Sequence, residues 1–137
     1  MFSLVRYLRD FGIDAELLLY DKELNHFLPD CDTLNNSKII SWIKKLSWGS
    51  PQSFFLTSSK KIKQDLESYN IIIGCGLLPA FLERARLKFH IFAPYGSDLY
   101  FLIFKKKYLL TWKMPAWLIF QYYQKKGIHK CFFSTII

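Results

Sequence analysis

The chain has 137 residues, room for one domain, and 51% of them are hydrophobic, which permits a packed core and excludes general disorder. Its longest apolar runs, Leu99–Phe104 and Ala116–Phe120, fall far short of the roughly 18 residues that a membrane span requires, and residues 1–11 lack the apolar core and cleavage site expected of a secretory signal. The net charge is +8, but the first 98 residues hold twelve basic and eleven acidic groups, so the basicity belongs to residues 99–137, with seven lysines and no acidic side chain.

Ser3–Phe11 reads as an amphipathic helix with Leu4, Val5, Leu8 and Phe11 on one face, followed by Gly12 where a left-handed turn can end it. Ala15–Leu19 reads as a strand whose apolar run Leu17–Leu19 suits burial on both faces. Tyr20–Asn36 is polar and mixed, a long loop. Ser37–Leu46 carries Ile39, Ile40, Ile43 and Leu46 at helical spacing, and Gly49 and Pro51 break the pattern. Phe54–Thr57 reads as a short strand. Ser58 or Ser59 then caps a helix running to about Tyr69, with Ile62, Leu66 and Tyr69 inward.

Ile71–Ile73 is β-branched and ends at Gly74, the clearest strand signal in the chain. Leu78–Ala85 reads as a short helix with Pro79 in its first turn. Phe89–Phe92 is a further strand ending at Pro94, and Leu99–Phe104 begins a further short helix. Pro115–Lys126 reads as a helix started by Pro115 and closed by Gly127, and Cys131–Ile137 as a last strand. Strands alternating with helices predict an α/β fold with a mainly parallel sheet covered on both faces.

Cys31, Cys75 and Cys131 are dispersed, and none stands at metal-ligand spacing from His26, His90 or His129, so no metal site is expected. The odd, scattered count fits a reducing cytoplasm. Cys75 reads as a small buried filler, and His90, inside an apolar strand, as a histidine with a local partner. The two loops built for close approach follow strands: Gly74-Cys75-Gly76-Leu77 and Pro94-Tyr95-Gly96-Ser97-Asp98. Ligands of open α/β sheets bind at the carboxyl ends of the strands, so both loops should share that edge. Asp98 has two readings: an N-cap for the following helix, or an acceptor for ligand hydroxyls. The glycines form neither a dinucleotide fingerprint nor a phosphate-binding P-loop.

Four stretches together carry a resemblance: Gly12-Ile13-Asp14-Ala15-Glu16-Leu17-Leu18-Leu19 after a helix, Tyr69-Asn70-Ile71-Ile72-Ile73-Gly74, Phe92-Ala93-Pro94-Tyr95-Gly96-Ser97-Asp98, and Lys125-Lys126-Gly127-Ile128-His129-Lys130 before a strand. Their order resembles the N-terminal, acceptor-side domain of GT-B glycosyltransferases, most of all the retaining, sugar-nucleotide-dependent group that builds bacterial surface polysaccharides and glycolipids. The resemblance implies one partial Rossmann-like domain over residues 1–137, incomplete at its N-terminal strand. It further implies transfer of a sugar from a nucleotide-sugar donor to a glycan or lipid-linked acceptor. Gly74, Gly76, Tyr95, Gly96, Ser97 and Asp98 would border the acceptor cleft. Tyr95 stands where many members carry a histidine. The family's second domain, with the nucleotide site and paired glutamates, lies outside the chain, so the chain alone is expected to be inactive and to hold no cofactor.

The basic segment interleaves Lys105, Lys106, Lys107 and Lys113 with aromatics that include Trp112 and Trp117. Lysines beside tryptophan suit an anionic membrane surface, which would place the protein in the cytoplasm, peripheral on the inner face of the membrane. The same composition also fits a buried helix with solvated lysines and, less well, single-stranded nucleic acid. A different class of function stays open beside the transferase: a non-catalytic remnant, or an α/β module that binds membrane, a partner or a small ligand.

Overall fold

The computed structural model describes residues 1–21, 41–94, 114–131 and 133–134. They belong to two compact units, Met1–Ser50 and Pro51–Ile137.

In the first unit, helix α1 (Phe2–Asp10) ends in the left-handed turn anticipated at Gly12, whose φ is +79°. The Gly12 N–H donates to Arg9 O at 2.9 Å and the Ile13 N–H to Leu8 O at 3.0 Å, the paired bonds of a Schellman cap. Its inward face is narrower than the apolar spacing suggested. Val5 is buried, whereas Leu4 and Phe11 are exposed. Arg9 ties the helix to the segment that follows, donating to Ala15 O at 2.8 Å and lying over the Trp42 ring. Phe2 stacks on Trp42 with centroids 5.4 Å apart.

Strands β1 (Leu17–Leu19) and β2 (Ile43–Lys45) pair in parallel, with Leu17 opposite Ile43. Helical spacing over Ser37–Leu46 misled at this point, because Ile43–Lys45 is a strand; Ile39 and Ile40 lie outside the described residues. The ladder overrides the local period: the Leu17 N–H donates to Trp42 O and the Leu46 N–H to Leu19 O, each at 2.8 Å. Beyond β2, Asp21 accepts from the backbone N–H and the hydroxyl of Ser50 at 3.0 and 3.1 Å, beside the fully buried Trp48.

The second unit opens with α2 (Ser53–Leu56), a single helical turn where a strand was expected. The turn aims Phe54 into the core while Phe55 and Leu56 face out, and the Thr57 N–H closes it on Ser53 O at 2.8 Å. So short an apolar run does not discriminate strand from helix by itself. Helix α3 (Ser59–Leu66) is capped by the Ser58 hydroxyl, which accepts from the Lys61 N–H, and it buries Ile62 and Leu66. It stops three residues before Tyr69, the end expected from spacing.

Strand β3 (Ile73–Gly74), helix α4 (Leu78–Ala85), strand β4 (Ile91–Phe92), helix α5 (Met114–His129) and strand β5 (Phe133–Ser134) follow among the described residues of the unit. The sheet order is β3-β4-β5, with both pairings parallel. The expected α/β alternation with parallel pairing is therefore present in this unit, in short strands. Helix α5 runs through Gly127, which the sequence had placed beyond the helix end. The reason is packing: a methyl group on Gly127 would fall inside the van der Waals shell of the Pro79 carbonyl oxygen. The core between α4 and α5 is aromatic. Phe54 meets Phe81 at 5.2 Å and Phe120 at 5.0 Å, both edge to face.

Candidate functional site

At the carboxyl end of β3 the chain turns through Gly74-Cys75-Gly76-Leu77 into α4. Gly76 adopts φ +61°, a conformation open to glycine at little cost, and Gly74 is buried against the Leu78 side chain. Gln124 of α5 holds the turn from outside. Gln124, 1% exposed, donates from Nε2 to Gly76 O at 2.7 Å and accepts at Oε1 from the Ala80 N–H at 3.1 Å. That amide belongs to the first turn of α4 and also donates to Leu77 O at 3.2 Å, so it is shared between the turn and Gln124. Gln124 thus ties the helix start to the loop through two hydrogen bonds. Sequence reasoning missed it: α5 carries two glutamines, Gln121 and Gln124, and the loop that Gln124 meets lies 48 positions away in the chain.

The second loop leaves from the same edge. Gly74 lies opposite Phe92, and the Ala93 N–H donates to Gly74 O at 2.8 Å, so Ala93 and Pro94 emerge beside the glycine turn. Tyr95, Gly96, Ser97 and Asp98, the rest of that expected site, lie outside the described residues. The same holds for Lys105, Lys106, Lys107, Trp112 and Lys113 of the basic segment. Trp117 is described. It is half-buried in α5 and stacks on Phe120 at 5.9 Å.

Charge on α5 is partly absorbed by α4. Glu83, buried on α4, receives both Lys126 at 3.1 Å and Lys130 at 2.9 Å on Oε1. Burial pushes the Glu83 carboxyl up, but the hydrogen bonds and charges of Lys130 and Lys126 outweigh it and leave the pKa below the ordinary value. Lys126 is raised in turn, mainly by its hydrogen bond to Glu83.

At the opposite, amino edge of the sheet, His90 has the local partner expected for it. Its Nδ1 accepts the Ile72 N–H at 3.0 Å, so the neutral ring carries its proton on Nε2. The Cys131 thiol donates to His90 O at 3.4 Å. Burial, followed by the charge of Lys88, lowers the His90 pKa below its usual value. A recess of about 340 Å³ opens beside the ring, with Tyr69, Ile72 and Lys88 among its walls.

Among the described residues no three His, Cys, Asp or Glu side chains gather as a metal site, and no helix is long and apolar enough to cross a membrane. Comparison with known proteins finds no matching family model, no matching curated protein and no matching solved structure.

Proposed function

We propose that the chain is the acceptor-side, Rossmann-like domain of a GT-B glycosyltransferase, working with a donor-binding domain that supplies the nucleotide sugar. The observation that carries this reading is the unit β3–glycine turn–α4–β4. Its parallel strands release Gly74–Leu77 and Ala93–Pro94 at one carboxyl edge, where α/β folds bind ligands. In this reading Gly74 and Gly76 keep the cleft wall low, and Tyr95, Gly96, Ser97 and Asp98 meet acceptor hydroxyls. The acceptor is a glycan or lipid-linked sugar. The protein works in the cytoplasm, peripheral on the membrane through its basic segment.

Saturation-transfer NMR with a panel of methyl glycosides and with UDP-glucose tests the assignment. The expected result is glycoside signals that weaken at least fivefold in Asp98→Asn and no tight nucleotide-sugar binding. Tight UDP-glucose binding by this chain, or glycoside signals indifferent to Asp98→Asn, would overturn it. A second reading, a non-catalytic module acting at a surface, is favoured by the outward face of α5.

A further inference from the structure

Pro115, Leu118, Ile119, Tyr122, Lys125, Lys126 and His129 each have another of the set three or four positions away, so they share one face of α5, and all are exposed. Along this face the chemistry changes from apolar to cationic. Leu118, Ile119 and Tyr122 are 50%, 49% and 59% exposed, and the Lys126 ammonium lies 5.6 Å from the Tyr122 ring centroid. The opposite face is spent on the fold: Phe120, Gln121, Gln124 and Gly127 are buried. A helix with one face fixed in the core and another exposing two aliphatic side chains and a tyrosine has surface that water does not favour.

We propose that this face of α5 docks on an anionic lipid bilayer, lying in the interface with Pro115, Leu118, Ile119 and Tyr122 inserted and the lysines at headgroup level. The inference rests on the membrane-associated reading of the basic segment and not on sugar transfer. Charge selects the occupant. Lys126 and Lys130 share the Glu83 carboxylate and Lys125 is exposed beside them, which leaves a surplus of positive charge at that end of the helix. Residues 99–137 hold no other acidic side chain to offset them. A second copy meeting this face would set like charges against each other. Single-stranded nucleic acid would find lysines but, at Leu118 and Ile119, no ring on which to stack a base. A bilayer with anionic headgroups satisfies both halves at once. The 16-residue helix, about 24 Å long, lies in the plane without spanning.

The test is flotation of the full chain with vesicles of phosphatidylcholine alone or with 30 mol% phosphatidylglycerol, about the anionic content that gives a polybasic surface its attraction. The wild type should float with the anionic vesicles only. Leu118→Ser/Ile119→Ser, at exposed positions, should keep its helix content and thermal midpoint and lose binding about tenfold or more. Lys125→Glu should lose binding about threefold to fivefold, with a reduced dependence on salt. If the wild type floats and the double variant floats equally well, the α5 face is wrong and the lysines of residues 105–113 carry the contact. If the wild type stays with the soluble fraction, the membrane-associated reading falls as well. A concentration-dependent dimer that the double variant abolishes, without vesicle binding, would give the face to a second copy and overturn the lipid assignment.

Discussion

Helices α4 and α5 both place a proline second, Pro79 and Pro115, but they meet water on very different terms. Seven of the eight residues of α4 are buried, a carboxylate among them. In α5 the burial is confined to one side, and leucine, isoleucine and tyrosine are left outside. The contrast shows that apolar content does not by itself assign a helix to the core. What assigns it is whether each apolar position has a neighbouring element to cover it. Helix α4 is packed by α3, α5 and the aromatic ring of Phe54; α5 packs on α4 and on the same Phe54 ring, and its Leu118, Ile119 and Tyr122 stay exposed.

This comparison can be broken first at its shared core. Phe120→Ala removes a ring that packs edge to face on Phe54 and stacks with Trp117, and it should cost about 3–5 kcal/mol in urea unfolding. A loss below about 1 kcal/mol would mean that the inward face of α5 is not core. Gly127→Ala is the sharper test, because two effects compete. Helix propensity alone favours alanine by about 1 kcal/mol, but the methyl meets the Pro79 carbonyl, and overpacking costs about 1–3 kcal/mol. Net destabilisation of up to about 2 kcal/mol is expected; a stabilised variant would show that α4 and α5 do not approach this closely.

The smallest effect is electrostatic and read by pH. The folded pKa of Glu83 is depressed, so its contribution is present above the ordinary glutamate value of 4.5 and is lost as pH falls through the folded value. The folded pKa of His90 is also depressed. The folded state keeps the ring neutral to accept the Ile72 N–H, so this contribution is whole above 6.5 and is lost as pH falls through the lower folded value. Thermal midpoints should therefore decline below pH 6.5 and again below 4.5, and Glu83→Gln should flatten only the lower step. A lower step unchanged in Glu83→Gln would place its origin elsewhere.

Much of the frame was legible where a local rule has few competitors. A serine cap at Ser58 or Ser59 for α3, which the structure gives to Ser58, Gly12 past the end of α1 and the bounds Leu78–Ala85 of α4 all followed from capping and proline preferences. Misreadings arose where long-range contacts decide. Ile43 and Leu46 keep a helical spacing, but β1 recruits Ile43–Lys45 into its ladder. Phe54 reads as strand until the core that receives it is known. Gly127 has the form of a stop signal, and only the backbone of α4 reveals it as a point of close approach. Of the expected site, Gly74 and Gly76 are placed at the sheet edge and Trp117 in α5. Gln124, Glu83 and the face through Leu118 and Tyr122 belong to pairs of elements, so no single segment announced them.

One consequence of Gln124 reaches beyond stability. Because its amide grips the glycine turn while its own helix carries the exposed face, α5 is a lever with its short arm at the sheet edge. A tilt of that helix would load Gly76 and the first turn of α4 together through those two bonds. The Ala80 amide sits at the pivot, and its rate of hydrogen exchange would register a load applied at Leu118 or Tyr122.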